Sequence, residues 1–160
     1  GGIYQTGTAT INPGTWYHVA WVRESTSLGK LYLDGVLILT VTSTVIVSSM
    51  PTGQDVLIGT MGDGYGNYFT GNISNLRVVK GTAVYTSAFT PSTTPLTAIS
   101  GTTLLTCQSN RLIDNSTTNS TLAVTGNTVI VQKFSPFNGT ANYTPATHGG
   151  SASFLSLIHI

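Results

Sequence analysis

Apolar positions come in short runs divided by Gly, Pro, Asn, Asp, Ser and Thr, and none keeps a 3.6-residue period long enough for a helix. Residues 15–23 (TWYHVAWVR) carry aromatic and β-branched side chains at both odd and even positions, which predicts a strand covered on both faces, with Trp16 and Trp21 in the core. In residues 30–41 two apolar runs flank Asp34-Gly35, the pair favoured in a two-residue type I′ hairpin loop. Further strands are predicted over 55–59, 72–79, 103–108, 121–124 and 128–134. Residues 62–67 (GDGYGN) hold three glycines in six positions and read as a loop, and 82–89 (TAVYTSAF) as a single helical turn. Many short strands with regular turns predict an all-β, two-sheet antiparallel jelly-roll sandwich.

Composition narrows the class. The chain has 160 residues, enough for one domain with a real core, and 40% of them are hydrophobic. Charged residues make up only 7%, against about 25% in an average soluble domain. Ser and Thr occupy 44 positions, so hydroxyls, amides and glycines must carry solubility. The six basic residues are scattered (Arg23, Lys30, Arg77, Lys80, Arg111, Lys133), so no basic stripe is available for nucleic acid. Cys107 is alone and forms no internal disulfide, and no apolar run reaches the roughly 18 residues of a membrane span.

The segments also carry a family pattern. Trp16-Tyr17-His18-Val19-Ala20 with Val22-Arg23, then Gly29-Lys30-Leu31-Tyr32-Leu33-Asp34-Gly35, resembles the laminin-G-like signature W-x-H-V-A…R…G…L-Y-x-D-G. Leu57-Ile58-Gly59 and Phe69-Thr70-Gly71-Asn72-Ile73-Ser74-Asn75-Leu76-Arg77-Val78 resemble its later IG…F-x-G-x-I-x-x-L-R-V segment, and Tyr85, Phe89, Thr90 and Pro91 continue the order. The resemblance implies the concanavalin A-like lectin/glucanase fold. Residues 104–119, followed by Val124-Thr125-Gly126-Asn127 and Phe134-Ser135-Pro136-Phe137, are similar to repeat units of large structural proteins of marine bacteriophages and their metagenomic relatives. In those, the next unit opens with GGS-x-x-F, which Gly149-Gly150-Ser151-Ala152-Ser153-Phe154 matches. That resemblance implies a laminin-G-like domain over 1–137 with its first strands missing, and over 138–154 a linker and the start of a following repeat. Residues 155–160 (LSLIHI) resemble a translated sequencing adapter; the alternative is a C-terminal strand.

Candidate chemistry is sparse. Glycoside hydrolysis needs two carboxyl groups, about 5 Å apart in retaining enzymes and about 6.5–9.5 Å in inverting ones. The related glucanases place theirs in an E-x-D-x-x-E run. The only glutamate here is Glu24, and Asp34, Asp55, Asp63 and Asp114 are too dispersed to present a pair on one strand. Cys107 reads as a small buried hydrophobe. His18 resembles the family's structural histidine, His148 lies near the repeat boundary, and His159 is in the adapter-like tail. The 62–67 loop offers Asp63, Asn67 and its carbonyls to a Ca²⁺ ion, though one carboxylate is few for a hard cation, and an Asx turn at Asp63 accounts for the same sequence. Asp63, Tyr65, Asn67 and Tyr68 also supply the aromatic platform and polar groups of a sugar site, or alternatively a plain connecting loop. Five N-x-S/T sequons (Asn72, Asn115, Asn119, Asn138, Asn142) follow from the abundance of Asn, Ser and Thr.

Resemblance and scarcity of acids together predict a non-catalytic structural and adhesive module of a virion or cell-surface protein, meeting host glycans or neighbouring virion subunits through rim loops. The alternatives are a secreted calcium-dependent lectin-like carbohydrate-binding domain and, less favoured, a glucanase whose carboxylates lie in the missing strands.

Overall fold

A computed structural model describes residues 9–42, 56–60, 68–109, 111–124, 129–131, 135–137 and 150–154. Every regular element among them is a β-strand, and every pairing is antiparallel. The chain divides into two compact units, one made of Gly1–Gln54 with Gly81–Pro91, the other of Asp55–Lys80 with Ser92–Ile160.

The first unit is built on a three-stranded sheet in the order β1 (Val19–Arg23), β2 (Leu28–Leu33), β3 (Val36–Thr42). Asp34 and Gly35 close the β2–β3 hairpin at φ 48° and 78°, the positive values that a type I′ loop demands at both central positions. An extra residue, Ile38, bulges β3 between the Leu31–Leu39 and Tyr32–Leu37 pairs. Across one face of the sheet lie rings from the 81–91 segment. Phe89 stacks on Tyr85 with centroids 3.6 Å apart, and meets Tyr32 and His18 edge-on at 5.5 and 5.3 Å. The contact is locked at the hairpin loop: Phe89 N–H donates to Gly35 O at 3.0 Å, and any Cβ on Gly35 would collide with the Phe89 carbonyl. Lys30 adds a tether, pairing with Glu24 at 2.6 Å while donating to Thr86 O at 2.8 Å.

In the second unit, β4 (Gly71–Ile73) and β5 (Leu76–Val79) belong to different sheets, although the sequence reads as one strand over 72–79. Ser74-Asn75 makes the break, with Asn75 in the left-handed region at φ 54°, which asparagine tolerates better than most residues. Strand β5 pairs with β6 (Thr102–Thr106), whose Leu104, Leu105 and Thr106 are all buried. Strand β4 pairs with β8 (Ser151–Phe154), which pairs on its other side with β7 (Val129–Val131), giving the order β4-β8-β7.

Several expectations need correction. Strand β1 begins at Val19 rather than Thr15. Residues 56–59 are not a strand; only Thr60 forms a bridge, with Tyr68. Residues 121–124 are irregular, and 82–89 bends without a helical turn because its rings are spent on the sheet face. Trp21 is not core. It lies 54% exposed while its neighbour Val22 is 7% exposed, because alternation along β1 sets Trp21 with Val19 and Leu31 on an open face. An apolar run marks both faces alike, so it does not say which one is covered. The 62–67 loop and the 155–160 tail lie outside the described residues.

Two substitutions test this arrangement. Gly35→Ala should cost at least about 2 kcal/mol in chemical denaturation, since it adds a positive-φ penalty to a backbone collision. Trp21→Ala should cost under about 1 kcal/mol; a loss of 3 kcal/mol or more would put Trp21 back in the core.

Candidate functional site

Of the four residues singled out for ligand binding, Tyr68 is described, and Asp63, Tyr65 and Asn67 fall outside the described residues. The same holds for the proposed Ca²⁺ pair, Asp63 and Asn67. What is visible is the foot of the loop. Thr60 and Tyr68 face each other in an antiparallel bridge, and Phe69 N–H donates to Gly59 O at 2.8 Å, so the chain leaves and returns at one place. Tyr68 is 59% exposed there, and Phe69 beside it is about half exposed, its ring lying against Gly71. Tyr68 thus exposes an aromatic ring with a hydroxyl at the loop base, a group suited to stacking on a sugar face. In the sequence Phe69 falls in the family's F-x-G-x-I pattern, which carries no sign that its ring is exposed.

The acids are the other test of function. Glu24 is held by Lys30, and their side chains are only 18% exposed. Asp34 turns its carboxylate onto the residue that leads into β1, where Oδ1 accepts the His18 N–H at 2.7 Å. Asp114 is 6% exposed and accepts four hydrogen bonds: Oδ1 takes the N–H groups of Leu105 and Ser116 at 3.0 and 2.9 Å, and Oδ2 the Ser120 N–H and Ser116 hydroxyl at 2.8 and 2.9 Å. Burial alone would push the Asp114 carboxyl up. The backbone donors of Ser120, Leu105 and Ser116, with the Ser116 hydroxyl, outweigh it and hold the group well below the usual carboxylate range. The readable signal was Asp114 followed two residues later by Ser116, an Asx-turn spacing that marks a structural acid.

Cys107 and His18 both sit in structural surroundings. Cys107 is 1% exposed, and burial pushes its thiol up to about 11. It sits just past β6 at φ 59°, not within the strand. His18 lies edge-on to Phe89 and Tyr85. Among the described residues, no group of three or more His, Cys, Asp or Glu side chains converges on one point. The open face of the first sheet has a shallow hollow of about 240 Å³, lined by Ala9, Ile11, Val19, Leu31, Tyr32, Leu33 and Ile38. Its lining is mostly apolar and has few polar groups to orient a sugar.

The family Laminin_G_3, described as the concanavalin A-like lectin/glucanases superfamily, matches residues 1–93. The chain belongs to this family. No curated protein and no solved structure compared with it matches. The concanavalin A-like match takes in the β2–β3 hairpin, the 81–91 segment and the Thr60–Tyr68 bridge; residues 94–160 lie beyond it. The phage-repeat resemblance of the second half is not among the matches. The family name spans lectins and glucanases, so in this concanavalin A-like chain the disposition of acids decides between binding and bond breaking.

Asp114→Asn should cost about 2–3 kcal/mol at pH 7, since it removes a charged acceptor from buried donors. A carboxyl held low in the folded state stabilises above its unfolded value, and that contribution fades as pH falls through the folded value. The wild-type advantage over Asp114→Asn should therefore shrink once pH drops below about 4, and a constant gap down to pH 2 would refute the assignment. Cys107, the single cysteine, should react with a thiol reagent only after denaturant unfolds the chain; rapid labelling of the native protein would show it exposed.

Proposed function

We propose that the chain is a non-catalytic structural and adhesive β-sandwich module of an extracellular protein, on a cell surface or a virion, that contacts glycans through the rim loop closed by Thr60 and Tyr68. In this reading residues 1–137 form a laminin-G-like jelly roll, 138–154 lead into a following unit of the same kind, and 155–160 carry no function. The observation that carries it is the employment of the acids. Glu24, Asp34 and Asp114 each serve a structural contact, which leaves Asp55 and Asp63 of the five acids in the sequence. A glucanase needs a cooperating pair free to meet substrate. A binding module needs only surface aromatics and hydroxyls, which Tyr68, Phe69 and a chain of 44 Ser and Thr residues supply.

The test is a glycan array with the wild-type chain and Tyr68→Ala. Saturable binding weakened about tenfold or more by the substitution supports the reading, tenfold being about 1.4 kcal/mol of lost stacking. Binding unaffected by Tyr68→Ala, or none at millimolar glycan, removes the loop from the function. Loss of binding on adding a chelator would move the assignment to a calcium-dependent lectin, and hydrolysis of a glucan would overturn the non-catalytic reading.

A further inference from the structure

The strand order of the second unit carries a consequence for assembly. Strand β8 lies between β4 and β7, pairing Asn72 with Ser153 and Ile73 with Ala152 on one side, and Ile130 with Ala152 and Val131 with Ser151 on the other. Among the described residues β4 and β7 do not pair with each other, so β8 alone joins them into a sheet. Its slot is narrow. Ser151 and Ala152 are fully buried, a Cβ on Gly150 would lie 3.2 Å from the Ser109 backbone, and Ser74 Oγ donates to Gly150 O. Only a strand that opens with very small residues fits. Yet β8 is tied to the preceding described segment, 135–137, only through the twelve residues 138–149. Such a tether spans up to about 40 Å when extended.

We infer that the β4–β7 slot accepts the Gly150–Phe154 strand of a second copy of this chain, so that copies are joined by strand exchange. A donated strand makes the same ladder hydrogen bonds and buries the same Ser151 and Ala152 side chains as the chain's own. The two arrangements therefore differ mainly in the cost of bringing the ends together. Tethering gives the chain's own strand an effective concentration on the order of millimolar, so exchange competes when copies are crowded to that level. The occupant is another copy because the slot is shaped to this segment's small side chains; reciprocal exchange closes a dimer, and one-way exchange extends a chain of copies. The inference rests on the sheet geometry and stands whether or not the rim loop binds a glycan.

The experiment uses the full chain in two variants, Asn72→Cys and Ser153→Cys, unfolded together, refolded as a mixture and oxidised. Cross-linked peptides are then mapped by mass spectrometry. The native Cys107, buried with a raised thiol pKa, stays out of the reaction. Exchange predicts a disulfide between chains linking residues 72 and 153, its yield rising at least about tenfold from ~10 µM to ~1 mM. It also predicts that the yield falls to background when the donor carries Ala152→Lys, for which the slot has no room. A 72–153 yield no greater than that with Cys at the exposed Thr93 instead of Ser153 would overturn the inference. The double variant Asn72→Cys/Ser153→Cys guards against misfolding: it must close its own disulfide at low concentration, and failure to do so removes the β4–β8 pairing on which the proposal stands.

Discussion

Where strands end and the backbone reverses, its N–H groups must find acceptors, and in this chain short polar side chains supply them at the three places that matter most. Asp34 closes the β2–β3 hairpin and at the same time accepts the His18 N–H, tying the loop to the residue that leads into β1. Asn75 breaks the β4–β5 run, and its Oδ1 accepts from Leu96 N–H and Gln108 Nε2 at 2.8 and 2.9 Å. Asp114 gathers donors from Leu105, Ser116 and Ser120 and so pins the 114–120 turn against β6. An unmet buried N–H costs about 1–3 kcal/mol, so each of these residues protects more than its own contact. Two of them also sit at positive φ, where few other side chains would combine the backbone shape with an acceptor.

That employment shapes what the surface can do. With charged residues at 7% of the chain, an acid spent on a turn is not replaced by another nearby. Among the described residues the outward groups are largely neutral: hydroxyls, amides, and aromatic rings such as Tyr68 and Phe69 beside the Thr60–Tyr68 bridge. A neutral surface of this kind suits neutral ligands and close packing against similar surfaces. The open apolar face bearing Val19, Trp21 and Leu31 adds a second region where cover from elsewhere would be favourable.

Local signals were legible in the sequence wherever one short segment settles its own geometry. Asp34-Gly35 announced the hairpin because only residues tolerant of positive φ fit a type I′ loop, and the strands around it follow from their apolar spacing. The paucity of acids, and with it the doubt over catalysis, was equally readable. The tertiary structure decided what depends on partners far along the chain. It made Asn75 a switch between sheets rather than a strand residue, turned Trp21 outward, and employed Asp114 as an anchor. It also set Ser151–Phe154 between β4 and β7, although the segment's own sequence resembles the opening of another unit. The physical reason is that strand pairing and burial are settled by non-local neighbours. A β-rich sequence states which residues can enter a sheet, and only the assembled layers choose the sheet, the face and the edge.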